Sequence, residues 1–244
     1  MVSKFKSVLQ DYKLLLNNVP ALMTSFFIIT TLLMNLGASK IIFSLGNVNL
    51  TGGFLLSFAP FLAMDTITRR FNARASIMLN VLSALGNLLA VIFLAIVAAI
   101  PTETPYPEFN YVFGSVWFIV FGSTVAFVLS GVVNSILNSA IGKLFEKKDP
   151  DGAFAFYSRS WISTFVGQAV DNFLFLYIVY GIFAPIYWNM SLSILDCLVT
   201  GVLGGLVELA LEAIISPIGL KIVRKWDEED VGRAYIDAHK DDKF

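Results

Sequence analysis

The sequence predicts an all-α, polytopic integral membrane protein with six transmembrane helices and both termini cytoplasmic, and three observations predict it. Only 14% of the 244 residues are charged and 57% are hydrophobic, whereas a water-soluble domain carries about one quarter charged residues. The apolar residues fall in long runs, and crossing roughly 30 Å of hydrocarbon takes about 20 apolar residues as a helix, because every backbone N–H and C=O must be paired within the segment. The basic residues are segregated along the chain, which is how short connections declare their cytoplasmic side.

Apolar length and punctuation place the spans at 19–38, 53–69, 76–100, 112–141, 161–184 and 191–222. The second is short and opens on Gly52-Gly53; the last is longer than one crossing needs, so it tilts or extends into the cytoplasm. With these boundaries Lys4, Lys6, Lys13, Arg69, Arg70, Arg74, Lys143, Lys147, Lys148, Arg159, Lys221, Arg224, Lys225, Arg233, Lys240 and Lys243 all fall inside, and only Lys40 outside. The connection Pro101–Tyr111 contains Glu103 and Glu108 and no base, as an external loop should. The sequons at Asn49 and Asn189 would be external, though a three-residue pattern is weakly specific. Residues 1–225 read as one transmembrane domain. The tail 226–244 mixes Asp227, Glu228, Glu229 and Asp230 with Lys and Arg, and reads as a solvated cytoplasmic extension.

Composition also excludes functions. The one cysteine, Cys197, and the one histidine, His239 in the tail, leave no disulfide framework, thiolate cluster or histidine metal site to expect in the spans. No nucleotide-binding motif occurs, so neither direct use of ATP nor any cofactor is expected. A cleaved signal peptide is not expected, since the first apolar segment is long and lacks a small-residue cleavage pattern. Nothing points to a nucleic-acid partner, and no residue set makes a convincing enzyme.

Charges at membrane depth cost a few kcal/mol on insertion scales and are paired, face a cavity or are functional. Asp65 lies one turn inside the second span, Asp171 near the middle of the fifth, Glu208 and Glu212 four residues apart in the sixth, and Asp196 nearer the outer surface. Asp65 has two readings, an i,i+4 ion pair with Arg69 and a direct ligand contact. Asp171 has no base within reach on its own helix and reads as functional. Glu208 and Glu212 would repel if both ionised, which leaves proton coupling or a structural hydrogen bond. Ser130, Asn134 and Asn138 recur every fourth residue on the fourth span, and Ser160, Thr164, Gln168 and Asp171 form a stripe on the fifth. Facing stripes would line a cavity; the alternative is interhelical hydrogen bonding. Gly201, Gly204 and Gly205 read as close-packing positions. An aspartate-dependent intramembrane enzyme would need Asp65 and Asp171 brought together by folding.

Three blocks carry a family resemblance. The first, MNLGASKIIFSLGNVNLTGGFLLSFAPFLAMD, sets Asn35, Lys40, Gly46, Gly53, Phe58 and Asp65 in order; the second is STVAFVLSGVVN; the third, STFVGQAVDNFLF, contains Ser163, Thr164, Gly167, Gln168, Asp171 and Phe173. Together they resemble the vitamin uptake transporter family, whose best-understood members carry queuosine precursors, over most of residues 30–220. The chain departs from that pattern at Asn134, where an Asp is usual, at Arg69-Arg70-Phe71-Asn72, and at Val207-Glu208, where a Lys is common.

The resemblance implies uptake of a 7-deazaguanine nucleobase or a similar vitamin-like solute across a prokaryotic plasma membrane. Its substrate contacts would come from Asn35, Lys40, Asp65, Asn134, Gln168, Asp171 and Glu208, and proton coupling from Asp171, Glu208 or Glu212. Phe173 and Trp161 are candidates for an aromatic wall among the 22 phenylalanines and four tryptophans. A substrate-binding subunit that needs a separate energising complex fits the same residues. A homodimer is compatible with the sequence, though no motif demands one.

Overall fold

A computed structural model describes residues 2–37, 41–45, 48–101, 107–110, 117–145, 152–187 and 191–240. Lys40, Gly46, Lys147, Lys148, Asn189, Lys243 and most of the Pro101–Tyr111 connection lie outside these residues. The helices are α1 (Val2–Asn18), α2 (Ala21–Gly37), α3 (Phe54–Ala99), the short α4 (Pro107–Phe109), α5 (Trp117–Phe145) and α6 (Ala153–Leu176). A π-helical segment, Tyr177–Phe183, leads on to α7 (Ala184–Tyr187), α8 (Ile194–Glu228) and α9 (Arg233–Ala238). One departure from the all-α expectation is an antiparallel hairpin of β1 (Ile41–Leu45) and β2 (Val48–Thr51), in register Phe43↔Leu50, Ser44↔Asn49 and Leu45↔Val48. Its β-branched and aromatic residues suit a strand, but the segment is too short for a helix-length apolar run to signal it.

Four helical stretches are long and apolar enough to cross a membrane: α3, α5, the α6–π–α7 stretch Ala153–Ile186, and α8. A fifth counts if α1 and α2, bent by 109° around Val19-Pro20, form one broken span. At 46 residues α3 is not one rod. Asn72, at φ 75° and ψ 171°, interrupts it, and its side-chain Oδ1 accepts the Ala75 N–H at 3.2 Å, restarting the helix as an N-cap does. Ser76 Oγ donates to the Met64 carbonyl at 3.3 Å, although twelve residues of continuous helix would separate them by about 18 Å. The arms 54–71 and 73–99 therefore fold back on each other. The break falls among Arg69, Arg70, Asn72 and Arg74, between the second and third expected spans.

At the opposite end α2 runs into the start of α3 with backbone touching backbone. A Cβ on Gly52 would lie 2.9 Å from the Gly37 carbonyl oxygen, so Gly52 requires glycine, and a Cβ on Gly37 would sit tightly at 3.1 Å from the Gly52–Gly53 backbone. The small residues of α8 bring it onto α6: a Cβ on Gly201 or Gly205 would lie 3.0 Å from the backbone of residues 169–173. The lipid-facing side is apolar, with Leu85, Leu89, Ile92, Phe93, Leu198, Leu203, Leu206 and Ile214 all exposed.

The tail is not a free extension. Arg70 donates Nε–H to the Val231 carbonyl and pairs through its other nitrogens with Asp227 (3.0 Å) and Asp230 (3.1 Å). Tyr235 is fully buried, edge-on to Phe71 and stacked on His239. Gly232, at φ 74°, makes the turn in the left-handed region with the Phe71 ring against its Cα. Asp11 on α1 receives Arg74 at 2.5 Å and faces His239 at 3.9 Å. Hydrogen bonds from Arg233 and then Arg70 hold the exposed Asp230 carboxyl below its ordinary range. Four apolar or aromatic tail residues, Trp226, Val231, Tyr235 and Ile236, join the core against Leu15 and Phe71, and they outweigh the charges between them.

Candidate functional site

The polar interior is organised around α6, which packs between α5 and α8. Small hydroxyl and amide residues on its inward faces let neighbouring helices approach while supplying hydrogen bonds that lipid cannot.

At the level nearer the tail, Asp65 is fully buried. Its Oδ1 accepts from Asn134 Nδ2 (2.9 Å) and Ser163 Oγ (3.4 Å), and its Oδ2 from Ser160 Oγ (2.5 Å) and Thr164 Oγ1 (3.1 Å). These donors from α5 and α6 hold the carboxylate. Ser160 Oγ also lies 2.8 Å from Glu212 Oε1, joining α8 to the network. Arg159, expected among the cytoplasmic bases, turns inward instead. It is 8% exposed, its Nε–H donates to Asn138 Oδ1 at 2.8 Å, its guanidinium covers Gly142, and its charge acts on Asp65.

About two to three turns further along α6 lies a second level. Asp171 is half-buried and accepts from Ser130 Oγ at 2.8 Å through Oδ1. Asn172 Nδ2 donates to Glu208 Oε2 at 2.8 Å, and Ser57 from the first arm of α3 reaches the same carboxyl. Gln168 lies between the two levels, fully buried, and neither its Nε2 nor its Oε1 has a partner. Beside it, Phe61 presses against Gly167 and meets Phe127 edge-on at 6.0 Å between ring centres. The two aromatic-wall candidates are otherwise engaged. Phe173 stacks on Tyr177, and Trp161 is 40% exposed, stacks on Tyr157 and hydrogen-bonds Ser216.

Asn35 belongs to a third level, at the far end. It accepts from Ser123 Oγ and keeps Nδ2 unpartnered. Ser123 lies seven residues before Ser130, so Asn35 is about 10 Å along α5 from the Asp171 level. A polar stripe not singled out in the sequence, Ser76, Asn80, Ser83 and Asn87 on the second arm of α3, runs along α5. Ser76 Oγ meets Ser135 Oγ at 2.9 Å, and Asn80 Nδ2 donates to the carbonyls of Phe127 and Val128. Continuing that antiparallel register sets Asn87 opposite Thr124, and all three of their side-chain polar atoms are buried and unpartnered. Two asparagines seven residues apart in an apolar run were the available signal.

Asp65 and Asp171 are not brought together. Asp65 binds Thr164, seven residues and hence about 10 Å along α6 from Asp171, so no aspartyl dyad forms. Among the described residues no group of three or more His, Cys, Asp or Glu side chains could hold a metal ion.

A chain of membrane-length helices with exposed apolar faces and an interior of carboxyls, amides and hydroxyls is a multi-pass membrane protein with a polar path inside it. A family model described as "Putative vitamin uptake transporter" matches residues 51–222, and the chain belongs to that family. The match covers Asp65, Asn134, Gln168, Asp171, Glu208 and Glu212, and omits Asn35, Lys40 and the tail after α8. Comparison with curated proteins and with solved structures returned no match.

Proposed function

We propose that this protein imports a queuosine precursor, a 7-deazaguanine nucleobase, or a similar small vitamin-like solute across a prokaryotic plasma membrane, acting as a transporter and not as an enzyme. The observation that carries this reading is Gln168, whose amide is buried with no partner one helical turn from the half-buried Asp171. Burying an unpaired amide costs about 1–3 kcal/mol, a cost that a bound solute would offset. A carboxylate accepts two hydrogen bonds from the ring N–H and exocyclic amine of a guanine-like edge, and an amide serves the carbonyl. Phe61 and Phe127 supply an apolar wall, and Glu208 would meet an aminomethyl cation.

The folded-back α3 supports counting its arms as separate crossings. With α2, α5, the α6–π–α7 stretch and α8 they make six. The clustering of Arg70, Arg74, the chain start and the tail at one end supports placing both termini in the cytoplasm.

The test is thermal stabilisation of the purified protein by a panel of 7-deazaguanines, purines and water-soluble vitamins, since a ligand that binds only the folded state raises its stability. A shift with a 7-deazaguanine that disappears in Asp171→Asn is the expected result. A shift with a vitamin alone discards the nucleobase, and a shift unaltered in Asp171→Asn discards the site. Binding without uptake after reconstitution would make the chain a binding subunit of a larger importer.

A further inference from the structure

The Asp65–Ser160–Glu212 contact has a hydrogen-counting problem. Ser160 Oγ lies 2.5 Å from Asp65 Oδ2 and 2.8 Å from Glu212 Oε1, but a serine hydroxyl has one hydrogen to give. If both acids were ionised, one contact would set two oxygen lone pairs against each other at a site with no exposure to solvent. One additional proton resolves it.

The surroundings say where that proton rests. Besides Ser160, Asp65 faces the Asn134 amide and the Thr164 hydroxyl as donors, with Ser163 Oγ at 3.4 Å sharing its one hydrogen with the Ser160 carbonyl, and the Arg159 charge acts on it. Glu212 faces Asp65 and Thr164, and its Oε2 is buried with no partner. A neutral carboxyl tolerates an unpaired oxygen at far lower cost than a carboxylate does. Asn134 also keeps its Oδ1 buried and unpartnered beside this network. The charged groups around the pair are Arg69 on α3, Arg159 on α6 and Glu208 one turn away on α8; α5 faces it with only Asn134 and Asn138 among the described residues.

We propose that Glu212, Ser160 and Asp65 form a proton relay that couples solute movement to proton entry. In the starting arrangement Glu212 Oε1–H donates to Ser160 Oγ, and Ser160 Oγ–H donates to Asp65 Oδ2. Transfer breaks the Glu212 O–H bond, forms an O–H bond on Ser160 with that proton, and passes the original serine proton to Asp65. Glu212 ends ionised, Asp65 neutral, and the hydroxyl reversed. Because the three residues lie on α8, α6 and α3, the step changes which helix carries the charge. Helices that rearrange to alternate access would feel that change.

The transport role rests on the uptake reading above; the relay itself does not. Infrared spectroscopy of the solute-free protein in lipid at neutral pH should show the carbonyl stretch of a protonated, dry carboxyl that disappears in Glu212→Gln. Persistence of the full band in a folded Glu212→Gln overturns the relay. Should that variant fail to fold, Ser160→Ala decides the matter: loss of the serine acceptor shifts the band, and an unmoved band overturns the proposal. In proteoliposomes clamped at zero membrane potential, one proton per solute gives about tenfold accumulation of a 7-deazaguanine per unit of pH gradient, and Glu212→Gln should reduce it to equality across the membrane. Uptake of wild type that ignores the gradient overturns the coupling. A proton band without any 7-deazaguanine uptake leaves the relay standing and removes the substrate.

Discussion

Replacing Gln168 with methionine should make the ligand-free protein more stable and leave it unable to bind solute. Both polar atoms of this amide are unpartnered at full burial, and such a group costs about 1–3 kcal/mol. Methionine keeps nearly the same length and shape with no group to satisfy, and volume-conserving swaps disturb packing little. In a chain of this size each kcal/mol moves the unfolding midpoint by roughly 2–4 °C, so an increase of roughly 2–12 °C is expected. Ligand acts in the opposite sense: at one hundred times its Kd it adds about 2.7 kcal/mol to the wild-type protein and should add nothing to the variant. Thermal unfolding of both proteins in one detergent, with and without ligand, reads the two effects together. A lower midpoint for ligand-free Gln168→Met would show that the amide is already satisfied, and an equal ligand shift in both proteins would remove Gln168 from the site.

Asn134→Leu, one helix away, should do the reverse, because it withdraws the 2.9 Å donor from a buried Asp65; a loss of about 1–3 kcal/mol would appear as a lower midpoint in the same assay. Gly232→Ala should free the tail. A left-handed alanine costs about 1–2 kcal/mol, and its Cβ would lie 2.1 Å from the Phe71 ring, so proteolysis after Trp226 should accelerate more than tenfold while the spans stay folded. The docked tail should also respond to acid. Asp230 is held below its ordinary value by Arg233 and Arg70, so its contribution is present above the unfolded carboxyl range and fades as pH falls through the lower, folded value. Trp226 fluorescence should therefore be flat at neutral pH and change only in strong acid, and a transition near neutrality would assign the docking to another group.

Much of the polar interior was legible because polar residues at membrane depth are few and costly. The carboxyls at 65, 171, 208 and 212 and the amides at 134 and 168 stand out in apolar runs, and all lie in the interior or at its edge. The turn at Asn72 was marked by its flanking arginines. Arg159 was misread because a base near a helix end normally belongs to the surface; only the small Gly142 and the Asn138 acceptor across the interface make room for it inside. The docked tail was hidden for a related reason, since charge dominated its composition while Tyr235 and Ile236 carried its packing. Asn35 was grouped with the other site residues by sequence block, yet depth along the helices separates them.

The folded-back α3 bears on how the chain is made. Its first arm contains Pro60, Asp65, Thr66 and Thr68, a poor substrate for entering lipid unaided. The second arm presents Leu85, Leu89, Ile92, Phe93 and Ile96 outward. If both arms cross the membrane, as proposed above, then with only Asn72 between them they would leave the translocation machinery as a single hairpin. The greasy partner would then escort the polar one, and under the proposed orientation the arginines at the tip would keep the bend on the cytoplasmic side.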